Sequence, residues 1–112
     1  MHEMALAISI VDVAVSEARK AAAVKINEIE LDVGKLAGVV IDALEFSFEA
    51  ACKDTEAEGA HLNISEIEAL AKCLDCGSVV KVESIMEQCD CGSYKLDLFQ
   101  GQDLKVRAIN ID

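Results

Sequence analysis

Two pairs of thiols dominate the chemistry open to this chain. Cys73 and Cys76 are spaced Cys-x-x-Cys, Cys89 and Cys91 are spaced Cys-x-Cys, and each pair is followed by glycine. Paired thiolates on tight turns, with a trailing glycine that lets main-chain amides face the sulfurs, are what a tetrahedral zinc ion requires. Four of the 5 cysteines fall in this one stretch, so it reads as a zinc ribbon with Cys73, Cys76, Cys89 and Cys91 as ligands. Disulfides would call for an oxidising compartment, and the chain opens with neither a basic n-region nor an apolar h-region. The second pair is irregular, because Gln88 stands where a normally spaced first ligand would be. Either Cys89 reaches the metal from a distorted turn, or a fourth ligand comes from elsewhere, with His61 and Cys52 as the candidates.

A second constellation opens the chain, Met1-His2-Glu3. The bulky His2 disfavours removal of the initiator methionine, which leaves a free α-amine. That amine, the His2 amide nitrogen and the His2 imidazole form adjacent five- and six-membered chelate rings. Three nitrogens in a plane suit nickel(II) or copper(II) better than zinc. Glu3 can close the fourth position through its amide or its carboxylate. A terminal histidine is more often merely solvated, so these residues permit the chemistry without demanding it.

The bulk properties narrow the partners. At 112 residues the chain makes one small domain or two very small ones, a size at which a metal staple adds needed stability. The formal net charge is −11 and the basic residues are scattered singly, so no stripe exists to neutralise phosphates. Nucleic acid is not an expected partner. An acidic surface suits cations or a partner with a basic face. No apolar run is long enough to span a membrane, and the chain reads as cytosolic, or cytoplasmic in the bacterial sense.

The elements that must position these groups follow from periodicity. Met4 to about Ala22 is helical, with an apolar face that includes Met4, Leu6, Ala7, Ile10, Val11, Val13, Ala14 and Ala18. Lys25 to Val33 alternates as a strand, bulged near Asn27 and ended by Gly34. Gly34-Lys35 lacks the companions of a phosphate loop. Val39 to Cys52 reads as a second helix, with Val40, Leu44, Phe48 and Ala51 on one ridge, Ala43, Phe46 and Ala50 beside it, and an acidic stripe of Asp42, Glu45 and Glu49 that is ordinarily a solvated face. His61 begins another alternating segment and reads as an edge-strand surface residue. Asn63-Ile64-Ser65 matches a glycosylation acceptor without a secretion signal to give it meaning. After Gly92 the chain alternates again, from Leu96 and Leu98 through Gly101 to Leu104, Val106, Ala108 and Ile109. We read that segment as a return to the sheet begun at Lys25. The expected fold is α+β: a small mixed β-sheet with two helices on one face, plus an inserted zinc-ribbon lobe. Residues 1–70 and 97–112 form the first domain and residues 71–96 the ribbon.

Taken in order, Met1-His2-Glu3, the run Ile29-Glu30-Leu31-Asp32-Val33-Gly34-Lys35-Leu36, the helix at Asp42-Ala43-Leu44-Glu45-Phe46 and the two cysteine knuckles resemble the HypA/HybF family of hydrogenase maturation factors. The resemblance covers essentially the whole chain. It implies a nickel metallochaperone that works with a partner GTPase (HypB) to supply the large subunit of [NiFe]-hydrogenase, and in some organisms urease. It further implies that His2, the Met1 amine and Glu3 bind nickel, and that Cys73, Cys76, Cys89 and Cys91 hold structural zinc. The second knuckle departs from the family pattern, Cys-Pro-x-Cys in most members, and this chain contains no proline.

Other classes of function compete for the same residues. Four thiolates hold iron in the same geometry, as in a rubredoxin-like electron carrier, and a ribbon can serve simply as an interaction module. A dithiol oxidoreductase using Cys73 and Cys76 is disfavoured by the clustering of four thiols. No set of nucleophile, base and orienting group is evident, so an enzyme is not expected. A ribbon tied to its lobe by two strands can exchange between copies, which adds a homodimer to the expected partners.

Overall fold

A computed structural model describes residues 2–84 and 86–112. Met1, the amine end of the expected nickel chelate, therefore lies outside the described residues. Among the described residues, two helices and six strands follow in the order α1 (Glu3–Lys20), β1 (Ile26–Gly34), α2 (Ile41–Cys52), β2 (His61–Ile67), β3 (Leu70–Cys73), β4 (Val79–Lys81), β5 (Leu96–Gln100) and β6 (Leu104–Ile111). They build two separate three-stranded sheets, ordered β2-β1-β6 and β4-β3-β5.

The first sheet is mixed, as expected. β1 runs parallel to β2 and antiparallel to β6. The parallel pair needs a crossover, and α2 supplies it. Along β1, Ile29, Leu31 and Val33 alternate onto the helical side, while Glu28, Glu30 and Asp32 take the other face. The register against β6 slips between Ile26 and Glu28, which places the bulge at Asn27 where the broken alternation predicts it. The core beneath the helices joins Ala7, Ile10, Val11, Ala14, Val15 and Ala18 of α1 to Leu44, Phe48 and Cys52 of α2. Small residues on the inner face of α1 let its backbone lie close to its neighbours.

Several expectations about faces and ends need correction. α1 stops at Lys20, and Ala22 takes a left-handed conformation (φ 56°) that no helix continues through. α2 starts at Ile41 because Val40 is extended. Val13, Val40 and Phe46, assigned to apolar faces by periodicity, point to solvent, with Phe46 80% exposed. Ser47 and Cys52 are buried on α2 instead. Helical spacing alone does not say how wide a stripe the neighbours cover.

The stretch from Leu96 to Ile109 is two strands rather than one. β5 pairs with β3 in the second sheet, and only β6 returns to β1. Gly101 makes the break: its φ of 99° is closed to ordinary side chains, and a Cβ there would collide with the Ala69 backbone. Residues 71–96, expected as the ribbon, thus sit within the longer span 70–100 that forms the second sheet. That sheet has its own small core of Ala69, Ala71 and Val82, with Leu36, Val80, Leu96 and Leu98 packed against it. The two sheets lie along a molecule 54 Å long and 16 Å thin. Among the described residues, no helix is long and apolar enough to cross a membrane.

Candidate metal centres

The four paired cysteines converge. β3 delivers Cys73 at its last position, and β5 begins at Leu96 directly beside it. Two short turns then carry the remaining thiols. In the first, the Gly77 amide donates to the Cys73 carbonyl at 2.9 Å and the Ser78 carbonyl accepts from the Cys73 amide at 2.8 Å. In the second, the Gly92 amide donates to the Cys89 carbonyl at 2.8 Å and the Ser93 carbonyl accepts from the Cys89 amide at 2.9 Å. The two knuckles therefore close in the same way despite their different spacing. Gly77 (φ 79°) and Gly92 (φ 95°) provide the left-handed residue that each turn needs.

The four sulfurs all lie within 4.8 Å of one another. Cys73 Sγ is 3.6 Å from Cys91 Sγ, and Cys76 Sγ is 3.6 Å from Cys89 Sγ. Zinc–sulfur bonds of about 2.3 Å in a tetrahedron set sulfurs about 3.8 Å apart, so the donor set fits the ion. All four are free thiols. Cys73 and Cys89 are buried while Cys76 and Cys91 are exposed.

The electrostatics of the cluster are those of a cation site. The Ser78 hydroxyl and amide, with help from Cys73 and Cys89, hold Cys76 down at about 6. At Cys91 the Ser93 amide pulls the same way, but Cys73, Cys89 and burial outweigh it and push the thiol up to about 12. Four thiols this close cannot all ionise without a positive charge among them. A divalent cation held by Cys73, Cys76, Cys89 and Cys91 would supply that charge and favour the thiolate form of all four.

The alternative fourth ligands are not needed. Cys52 is buried at the end of α2 in the other core, where desolvation pushes it up to about 11. His61 is exposed at the start of β2. Gln88, which occupies the place of a normally spaced ligand, braces the shortened knuckle instead, its Nε2 donating to the Gly92 carbonyl at 2.8 Å. Spacing alone did not reveal Gln88 or the two serines. The repeated Cys-Gly-Ser of residues 76–78 and 91–93 was the available signal.

At the start of the chain, His2 is exposed and extended (φ −82°, ψ 122°) as the N-cap of α1. Its carbonyl accepts the first helical bond, from Leu6 N at 3.1 Å. The helix therefore uses the carbonyl of His2, whose side chain makes no cap hydrogen bond to it. Glu3 opens the helix, and its Oε2 accepts from the Val40 amide at 3.4 Å.

The fold and the cysteine centre together describe a small α+β protein with two helices, mixed sheet and a four-thiolate ribbon. Comparison places that class among known proteins. Residues 1–111 match the family described as "Hydrogenase/urease nickel incorporation, metallochaperone, hypA". The chain is 42% identical over the full length of both proteins to hydrogenase maturation factor HypA of Chlorobaculum parvum, and 40% identical, again over full lengths, to that of Alkalilimnicola ehrlichii. The solution structure of the Ni metallochaperone HypA from Helicobacter pylori is similar in fold, with a TM-score of 0.71 and 21% identity, covering 99% of this chain and 97% of that one. The chain belongs to the HypA family of nickel metallochaperones for hydrogenase maturation, which is not a family of enzymes.

Proposed function

We propose that this protein binds nickel at its N-terminus and hands it, together with a partner GTPase of the HypB type, to the large subunit of [NiFe]-hydrogenase, while Cys73, Cys76, Cys89 and Cys91 hold structural zinc. The observation that carries the reading is the family match along residues 1–111, which spans both the His2 terminus and the cysteine ribbon. The chemistry of each donor set agrees with its role. Four thiolates make a tight site suited to an ion that stays. The Met1 amine and the His2 amide and imidazole offer three nitrogen donors with an exposed edge, the fourth position closed by the amide or carboxylate of Glu3, and such a site is open to ligand exchange.

Transfer needs no bond-making chemistry in the protein itself. A partner ligand enters the open side of the ion as an imidazole or amine leaves. Because those nitrogens must lose protons to bind, nickel affinity falls as pH falls. The reading assigns nickel to the lobe built on β2-β1-β6 and zinc to the lobe built on β4-β3-β5, and sets the work in the cytoplasm. Exchange of the ribbon between copies would give a homodimer.

Metal analysis of purified protein beside a His2→Ala variant tests the assignment. The parent is expected to retain one zinc and to take up one nickel, and His2→Ala to keep the zinc and lose most nickel affinity. Unchanged nickel binding by His2→Ala would remove the terminal site. A red protein that reduces reversibly would replace zinc with iron.

A further inference from the structure

We infer that the four-cysteine cluster is also an oxidation site, at which hydrogen peroxide joins each exposed cysteine to the buried cysteine of the opposite knuckle, Cys91 to Cys73 and Cys76 to Cys89. The inference rests on the reading of these four residues as the zinc site and gives that site a second, metal-free state.

The cluster is asymmetric in two ways that coincide. Each knuckle contributes one buried cysteine, Cys73 or Cys89, and one exposed cysteine, Cys76 or Cys91. Both of the 3.6 Å sulfur contacts join an exposed thiol to a buried one, and both cross from one knuckle to the other. That is the arrangement of a sensor thiol beside a resolving thiol: the accessible sulfur meets the oxidant, and its sheltered neighbour closes the disulfide. Sulfurs in a disulfide stand about 2.05 Å apart, so each pair starts within about 1.6 Å of bonding distance. Pairing inside a knuckle is less favourable. Asp90 alone separates Cys89 from Cys91, and a disulfide across a single residue closes a small, strained ring. A Cys73–Cys76 bond would leave those two only each other. The shortened second knuckle therefore directs both bonds across the cluster.

Each bond balances against one peroxide. The exposed thiolate attacks a peroxide oxygen, the O–O bond breaks, hydroxide leaves and the sulfur becomes a sulfenic acid. The buried thiolate then attacks that sulfur, the S–S bond forms, and the sulfenic oxygen departs as a second hydroxide. Two sulfurs have lost two electrons and one peroxide has gained them. After two peroxides the cluster offers no thiolate to a divalent cation. The second lobe keeps its closure nonetheless, because the nested bonds 73–91 and 76–89 tie together the same two turns that the four ligands join, and cross-links restrain the unfolded chain. Cys52, 2% exposed in the core beneath the helices, is screened from the oxidant.

Peroxide titration of the reduced, zinc-loaded protein tests this, with released zinc, disulfide map and hydrogen exchange read together. Cleavage before Asp75 and Asp90 and after Lys81 puts the four cysteines on four peptides. One zinc should be released for every two peroxides consumed, with Cys73–Cys91 and Cys76–Cys89 as the linked peptides and Cys52 still a thiol. The oxidised chain should keep its amide protection across residues 70–100, whereas reduced protein stripped by a chelator should lose it, and a thiol reductant with added zinc should restore the starting state. A Cys73–Cys76 bond, bonds between chains, sulfinic acids without disulfides, or loss of protection in the oxidised chain would each overturn the inference. Reduced protein that carries no zinc before any peroxide is added would instead overturn the structural-zinc reading, and the inference with it.

Discussion

At the level of single residues, the four metal-binding thiols are legible in the sequence because their spacing is a covalent constraint. A Cys-x-x-Cys turn has few conformations, and a following glycine selects the one that aims both sulfurs inward. The bracing role of Gln88 is not legible, since it depends on where the Gly92 carbonyl points once the second turn has closed. Cys52 shows the same limit from the other side. Its residue type makes it a candidate ligand, yet it lies in the apolar core with its pKa raised from 9.0 to about 11 by burial. A thiol that ionises later in the folded chain than in the unfolded one stabilises fully below pH 9.0, and that contribution is lost as pH rises toward 11. Thermal unfolding followed across this interval should therefore show Cys52→Ala losing less stability than the parent. Equal losses would mean that Cys52 does not stay protonated in the fold.

At the level of elements, periodicity locates both helices and the first strand but joins β5 to β6. The alternation of Leu96, Leu98, Leu104 and Val106 continues in phase with a strand, and nothing in it records that the partner changes. The change is made at a crowded crossing. Gly34 at the end of β1 lies against Gly101, whose own missing side chain leaves room for Ala69. Main-chain bonds tie the crossing together, Gly34 N to Asp103 O at 2.8 Å and Leu36 N to Gly101 O at 2.9 Å. Lys35 and Lys81 then meet Glu68 from the two sides, at 2.6 and 3.3 Å. These exposed ion pairs add little, whereas the glycines leave no alternative. A Cβ at residue 34 would run into the Gly101 carbonyl, a main-chain atom that cannot swing away. Gly34→Ala should cost more than about 2 kcal/mol in urea unfolding, within the range for overpacked sites. A cost below about 0.5 kcal/mol would show that the crossing yields easily.

Across the whole molecule, periodicity suggests one sheet carrying a ribbon, and the structure holds two sheets with two cores. The difference in their size is physical. Among the described residues, the first core contains fourteen buried residues from both helices and the first sheet with Ala57, while the second contains Ala69, Ala71 and Val82. Three small side chains bury too little apolar surface to offset the ordering of about thirty residues. On the proposed reading, zinc held by the four cysteines would supply the remainder in the second lobe, and none is needed in the first. Stripping zinc with a chelator should erase amide protection across residues 70–100 and preserve it along Ile26–Gly34. Protection lost in both lobes together would show that they fold as one unit. The sequence could not display this asymmetry, because it emerges only when the strands are sorted between sheets.

The strand order also governs how the chain is made. β6 lies beside the central β1, yet residues 70–100 leave the ribosome before it does. Until synthesis passes that excursion, β1 has one open edge and Val106 and Ile109 are missing from the packing around the core. The sheet beneath the two helices is therefore closed only when β6 emerges, after the whole cysteine-bearing excursion has been made.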